Sequence, residues 1–328
     1  NVVLISSLII SYYFELNFAK QLSYGVTFAG LIQLTFLIYI TLKFYKPDLI
    51  FNLKLSNKVK FFFRKLLPSI LSSGITQINI LVGTIIASFQ SSAVSYLYYA
   101  DRVYQINLAI AGIAVGTVSL PVLSKAFKSK NLKRISNIQN KSFELSLLLS
   151  VPASFGLILA SEQIVNALFG YGSFSQKDVE MTANALKYFG YGVPAFALVK
   201  ILSNFFFARD NTIIPFYISM FIVILNILIS VCFFSKLGFI IIPIATSIST
   251  WFGVFIYFYL FFLKKSLLLK SQLILNLIKI LTSTIIMSLI LLFALDNYDS
   301  YLEYSYKYKA IFLISIVSFV GILYLLSC

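Results

Sequence analysis

Two cations embedded in apolar sequence carry most of the chemistry this chain offers. Arg102 lies in SYLYYADRVYQINLAIAGIAVGTVSLPVLSK, residues 95–125, where its only charged company before Lys125 is Asp101. Lys200 lies in AFALVKILSNFFFARD, residues 195–210. On a membrane helix such a charge costs about 2.5–3.5 kcal/mol on insertion scales, so it needs a partner or a use. Arginine has a specific one, because its planar fork binds two phosphate oxygens at once. Arg102, Gln105, Ala109, Gly112 and Gly116 follow helical steps of three and four. They form one small-and-polar stripe, which faces protein or a water-filled cavity rather than lipid. Two readings stay open. Either Asp101 neutralises Arg102 beside a Gly112–Gly116 packing face, or it moderates a cationic site for an anionic substrate. Lys200 has no acid within one turn and has Asn204 four residues on. It reads either as a lysine reaching toward the nearer surface or as a second cavity cation.

The elements that must position these residues are membrane helices. Of 328 residues, 59% are hydrophobic and only 11% charged, with a mean hydropathy of +0.92. A soluble domain carries about 25% charged residues. Apolar runs of about 20 residues recur, which matches the hydrocarbon thickness at helical rise, and the short alternating segments of a membrane β-barrel do not. The fold class is therefore an all-α polytopic membrane protein. Its apolar spans fall at 1–16, 21–42, 66–89, 94–123, 142–161, 181–208, 212–234, 238–263, 273–295 and 308–327.

Loop charges set an orientation. One alternate set of loops holds Lys43, Lys46, Lys54, Lys58, Lys60, Arg64 and Lys65 against Asp48, then Lys125, Lys128, Lys130, Lys133, Arg134 and Lys141, then Arg209, then Lys264, Lys265 and Lys270. The other set holds Glu15 with Lys20, Glu162, Asp178 and Glu180 with Lys177, Lys236 alone, and Asp296, Asp299 and Glu303 with Lys307 and Lys309. Under the positive-inside rule the basic loops and both chain ends are cytoplasmic. That rule accounts for 26 Lys and Arg against 11 Asp and Glu without invoking nucleic acid. The basic segment 125–141 is expected to be a short amphipathic helix on the cytoplasmic surface.

Enzyme chemistry finds little support. Histidine is absent, and Cys232 and Cys328 form no metal or redox motif. There is no nucleophile triad, phosphate-binding loop or metal-ligand cluster, so neither enzyme nor cofactor is expected. Polar faces recur on three spans: Ser69, Ser72, Ser73, Thr76, Gln77, Asn79 and Thr84; Asn226 and Ser230; Thr246, Ser247, Ser249 and Thr250. They serve helix–helix hydrogen bonding or line a pathway.

The stretch YYADRVYQINLAIAGIAVGTVSLPVLS at 98–124 resembles the hallmark helix of the lipid II flippases of bacterial cell-wall synthesis, the MurJ/MviN family, which reads YYADRLYQ-P-G--GIALGTV-LP-LS. FFARDNTIIP at 206–215 is similar to the family's FYAR-DT-TP, QINILVGTIIASF at 77–89 to its seventh helix, and IATSIST at 244–250 to its twelfth. The family belongs to the superfamily of multidrug (MATE) exporters and polysaccharide flippases. The resemblance covers essentially the whole chain and identifies the spans with family helices 5 to 14. With Asn1 opening directly on an apolar helix, the chain reads as a fragment lacking its natural N-terminus. By the same resemblance, residues 1–45 end the first bundle and 46–65 are a cytoplasmic linker. Residues 66–265 form a second six-helix bundle, and 270–328 a helix pair with a groove for a lipid tail.

The resemblance implies alternating-access transport of undecaprenyl-diphosphate-linked peptidoglycan precursor across the bacterial inner membrane. Lipid II, membrane lipids and other cell-wall synthesis proteins are the implied partners. Taken with the residue reading above, substrate binding is expected at Arg102, Asp101, Lys200, Gln105 and Gln77, and motif roles at Gly112, Gly116, Arg209 and Asp210. Two positions depart from the resemblance. Asn107 stands where the hallmark helix has a proline, and Gly83 where some members have an aspartate of a sodium site. Asn226 and Thr246 would supply the other ligands of that site, but the set lacks the negative charge a hard cation requires. A flippase for another polyprenyl-diphosphate oligosaccharide would need the same cations. A MATE-type exporter of cationic drugs would instead want unpaired acids in its cavity.

Overall fold

The computed structural model describes residues 2–15, 17–45, 56–263, 270–297, 302–303 and 307–328. Lys46, Asp48, Lys54, Lys264, Lys265 and Asp299 lie outside the described residues, as do the side chains of Lys58, Arg64, Lys65, Ser69, Ser72, Ser73 and Thr76. The chain divides into two compact units, Asn1–Phe61 and Phe62–Cys328.

In the first unit, α1 (Val2–Tyr13) packs on α2 (Phe18–Phe44). The seam is made of small residues. A Cβ on Gly25 would come within 2.7 Å of Ser7 Oγ, and that hydroxyl donates to the Gln21 carbonyl at 2.9 Å. Asn17 caps α2 by accepting from the Lys20 amide.

The second unit is built from α3 (Asn57–Ser88), α4 (Ala93–Leu108), a π-helical turn at Ala109–Ala114, α5 (Val115–Lys128), α6 (Leu132–Leu159), α7 (Ser161–Phe169), α8 (Gln176–Phe207), α9 (Ile213–Leu237), α10 (Ile241–Leu263), α11 (Ser271–Asn297) and α12 (Lys309–Ser327). Successive long helices run in opposite directions. The end carrying residues 89–92, 160–175 and 238–240 is called upper, and the end carrying 129–131 and 208–212 lower. Among the described residues, seven helical stretches are long and apolar enough to cross a membrane. One of them, Ile213–Leu263, turns at Gly238–Ile240 and contains two of the expected spans. Gly238 makes that turn at φ +59°, and the Gln90 side chain accepts from the Phe239 amide at 2.9 Å.

Helix α8 is the axis of the second unit. It packs on α4, α6, α7 and α10, and 72% of its most apolar window is buried, more than in any other described span. Small residues make this possible: Ala183, Ala185, Gly190, Gly192, Ala195 and Ala197 are all buried. Near the upper end Tyr104 of α4 stacks on Phe189 of α8, ring centroids 4.6 Å apart. Near the lower end Phe143, Phe205, Phe206, Tyr257 and Phe261 form an aromatic core. Helices α11 and α12 lie against α6 and α7.

Two expectations need correction. The basic segment 125–141 is not a separate surface helix. Its first residues end α5 at Lys128, Lys130 turns at φ +51°, and Asn131 caps α6 through the Arg134 amide. Helix α6 then runs unbroken to Leu159, because Ile135, Phe143 and their neighbours have core to bury against. The stripe from Arg102 to Gly116 is also not one face. The π-helical turn at Ala109–Ala114 adds residues to one turn and breaks the three-and-four spacing. Arg102, Gln105 and Ala109 are exposed, whereas Gly112 and Gly116 are buried.

Candidate functional site

Helix α4 presents three different surfaces, and the site follows from them. One lines a cavity of about 200 Å³ closed by α3, α8, α9 and α10. Leu97, Tyr98, Asp101 and Tyr104 face it from α4; Asn79, Gly83 and Thr84 from α3; Asn226 and Thr246 from α9 and α10. A second surface, with Val103, Ile106 and Asn107, borders an apolar groove of about 670 Å³. The groove's other walls are α6 around Pro152 and Gly156, α11 at Met287 and Leu291, and α12 from Val317 to Leu325. The third surface is open and carries Arg102 and Gln105. At 3.6 residues per turn, Arg102 falls between the face of Tyr98 and Asp101 and the face of Val103 and Ile106.

Arg102 makes no hydrogen bond to Asp101, although its charge lies close enough to act on the carboxylate. Its Nη2 donates to the Tyr98 hydroxyl at 3.0 Å, and its guanidinium sits 4.7 Å from the Tyr98 ring centre. The Asp101 carboxylate accepts from the Gln105 amide instead. Adjacent residues on a helix point about 100° apart, which is why the two charges meet different neighbours. The arginine is thus positioned on an aromatic face with much of its donor fork still available.

The remaining expected residues are distributed more widely. Lys200 is exposed on α8 and does not line the cavity. Its depth is set by two close approaches. A Cβ on Gly112 would come within 3.1 Å of Ala197 Cα, and one on Gly116 within 2.6 Å of Asn204 Nδ2. Lys200 therefore sits level with the stretch between Gly112 and Gly116, about 15 Å below Arg102 at 1.5 Å per residue. Gln77 is exposed on α3, and the cavity begins with Asn79. Arg209 and Asp210 belong to the lower turn between α8 and α9, with Asp210 at φ +58°. The Arg209 guanidinium lies 4.7 Å from the Phe127 ring and 5.6 Å from that of Phe261. Burial lowers its pKa from the usual guanidinium value. Arg209 thus ties the end of α8 to α5 and α10, while Asp210 is exposed in the turn, and neither lines the cavity.

Asn226 and Thr246 do meet, but not as cation ligands. Asn226 Nδ2 donates to Thr246 Oγ1 at 3.0 Å, and Ser230 Oγ donates to Asn226 Oδ1 at 3.1 Å. Thr246 Oγ1 itself donates to the Ile242 carbonyl at 2.8 Å. An amide nitrogen therefore faces the threonine oxygen, and no carboxylate joins them from Gly83. This donor set does not fit sodium.

Sequence reasoning missed two polar seams that hold α11 and α12 to the bundle. At the upper end Lys309 is 1% exposed. Its Nζ donates to Asn166 Oδ1 at 2.9 Å and the Gly170 carbonyl at 2.7 Å, and lies 4.4 Å from the Tyr171 ring centre. Toward the lower end, Asn276 donates to Glu144 at 2.9 Å, and the Lys270 amide to Asn140 Oδ1 at 3.0 Å. A lysine and a glutamate at the ends of apolar spans read as boundary charges. Only the long-range contacts reveal them as fasteners.

Comparison with known proteins identifies the family and the fold. The family model described as lipid II flippase MurJ matches residues 1–312. A probable lipid II flippase MurJ of Rickettsia prowazekii is 34% identical over 93% of this chain and 59% of its own length. That of Rhizobium tropici is 35% identical over 76% of this chain and 48% of its own. The chain thus spans about half to three-fifths of these relatives. Among solved structures, a lipid II flippase MurJ in an inward closed conformation superposes with a TM-score of 0.76 at 24% identity, covering 99% of this chain and 64% of the other. An outward-facing multidrug resistance MATE family transporter gives 0.57 at 14% identity over 81% of this chain and 61% of its own. The two structures show the fold. The family model and the relatives place the chain by sequence: it belongs to the lipid II flippase MurJ family.

Proposed function

We propose that this chain is the larger part of a lipid II flippase of the bacterial cytoplasmic membrane. It would move the undecaprenyl-diphosphate-linked disaccharide pentapeptide outward by alternating access, with the lower end of the second unit cytoplasmic and the upper end external. One observation carries the reading. An arginine hydrogen-bonded to Tyr98 rather than to the adjacent acid stands between a cavity carrying Asp101, Asn79 and Thr84 and a long apolar groove, on one helix. That juxtaposition suits an amphiphile with an anionic head and a hydrocarbon tail. The diphosphate would take the Arg102 fork. The polyprenyl tail would follow the groove between α6 and α12. Lys200, about 15 Å away along the axis, is too far to share one diphosphate with Arg102, so the two cations act in succession.

Growth rescue in a strain depleted of its own flippase tests this, with membrane abundance measured alongside in the full-length protein. Arg102→Ala abolishes rescue at normal abundance. Arg102→Lys keeps the charge but loses one charge-assisted bond, about 1.5–3 kcal/mol or about ten- to a hundredfold in rate. If Arg102 served only to offset Asp101, the double change Asp101→Asn with Arg102→Gln would restore both abundance and growth. An abundant double mutant that grows overturns the proposal.

A further inference from the structure

The cluster of Asn226, Ser230 and Thr246 can be read by counting protons. Thr246 has one hydroxyl proton, and it is committed to the Ile242 carbonyl at 2.8 Å. Its oxygen can therefore only accept from Asn226, which fixes the amide nitrogen toward it at 3.0 Å. The amide oxygen is then turned to Ser230, whose only proton it receives at 3.1 Å. Asn226 and Ser230 are 5% and 2% exposed, so water does not compete for these bonds. Each polar group in the chain satisfies the next, and the chain is neutral from end to end. A cation entering here would have to turn the amide over. That would set two oxygens against each other and strand the amide protons in apolar surroundings.

The remaining walls do not supply what is missing. Among the described residues lining this cavity the one acid is Asp101, on α4, already bonded by Gln105. The facing groups from α3 are Asn79 and Thr84, and from α8 Phe189. At Gly83, by contrast, there is space. A Cβ built there meets only Ile242 Cγ2, at an ordinary 3.7 Å. A side chain at this position would extend into the cavity that Asn226 and Thr246 line.

We infer that Asn226, Ser230 and Thr246 form a neutral hydrogen-bonded lock joining α9 to α10 and that sodium does not bind there; Gly83, where the resemblance places an aspartate in some members, provides the control, since Gly83→Asp would supply the missing charge. Sodium therefore has no site at this cluster from which it could gate the proposed conformational cycle. The inference does not depend on which lipid is carried, because it is read from ion binding alone.

The test uses the full-length protein extracted in detergent, with its unfolding midpoint followed in sodium chloride against potassium chloride at equal ionic strength. The natural protein and Gly83→Asn give the same midpoint in both salts. Gly83→Asp gives a midpoint that rises with sodium and not with potassium, as expected when a ligand binds the folded state alone. A sodium-selective rise in the natural protein overturns the lock, and this arm needs no variant to fold. A folded Gly83→Asp protein indifferent to sodium overturns the role given to Gly83. Thr246→Val and Ser230→Ala provide a further check. Each lowers the midpoint, and together they lower it by less than the two separate losses, because both act through Asn226. Strict additivity counts against a single connected lock.

Discussion

Replacing Lys309 by methionine tests how the C-terminal helices are held. The substitution keeps most of the side-chain stem and removes the ammonium group. Toward the described residues Lys309 Nζ donates at 2.9 Å to Asn166 Oδ1 and at 2.7 Å to the Gly170 carbonyl, and it lies over the Tyr171 ring. Hydrogen bonds to a charged group contribute about 1.5–3 kcal/mol each, and a desolvated cation over a ring about 2 kcal/mol. Against that stands the cost of taking an ammonium out of water, several kcal/mol per ion. The gain and the cost nearly cancel while the contacts are made. In the methionine variant the two acceptors remain without their donor, at about 1–3 kcal/mol each. The net loss is therefore about 2–6 kcal/mol, concentrated where α12 meets α7. Asn166→Leu removes one acceptor and also frees the Leu302 carbonyl it serves at 2.8 Å. Unfolding midpoints of the two single variants and the double variant give the coupling directly, and about 1.5–3 kcal/mol is expected for a charge-assisted bond. A coupling below about 0.5 kcal/mol, the usual additivity error, would refute the clamp.

Further outcomes follow from the same geometry. Gly112→Ala presses a methyl against Ala197 Cα at 3.1 Å, a backbone atom that cannot yield, and loses about 1–3 kcal/mol. Gly116→Ala meets the rotatable Asn204 amide and loses less, so the reverse order of unfolding midpoints would contradict the close approach of α5 and α8. Gly321→Trp or Gly156→Trp extends into open space, since nothing lies within 4 Å of a Cβ at either position. Both line the apolar groove, and each variant should reach the membrane yet fail to support growth; full growth would exclude the groove from the lipid path. In a background with Cys232 and Cys328 changed to serine, a cysteine at Lys130 is shielded from an impermeant thiol reagent in intact cells and one at Ser173 reacts. Labelling at Lys130 would reverse the assigned orientation.

The helices were legible because composition and period act along the chain. Apolar runs between basic and acidic loops mark the spans; the Asn131 cap that divides 125–141 between two helices went unread there. What sequence could not give was register and partnership. The stripe through Arg102 and Gly116 assumed one helical period, and a single π-helical turn at Ala109–Ala114 moved its two halves onto different faces. No residue type announces such a turn; it is selected by how α4 and α5 pack on α8. Asp101 and Arg102 looked like a pair because they are adjacent, yet their bonds go to Gln105 and Tyr98 four residues away on either side. Lys309 looked like a loop charge because its acceptors lie 139 and 143 residues upstream.

The separation of the two cations constrains how a head group can move. Along one helix bundle, Arg102 lies about 14 Å below the upper end and Lys200 about 10 Å above the lower, counted at 1.5 Å per residue from Ala93 and from Phe207. A single cation at the centre would hold a diphosphate at its deepest point, where Coulomb attraction is screened least. Two cations displaced toward opposite ends do the reverse. On the proposed path each would attract the diphosphate nearer its own surface, where hydration is easier to restore, and neither would command the whole path. The Tyr98 ring and hydroxyl hold the Arg102 guanidinium in place, so less rotamer freedom would be lost on binding. Removing that support by Tyr98→Leu should therefore weaken rescue less than Arg102→Lys does, because it leaves the bidentate fork intact and costs only its positioning. If Tyr98→Leu at normal abundance were as damaging as Arg102→Ala, the ring would be contributing more than alignment, and the succession of two cations would not be sufficient.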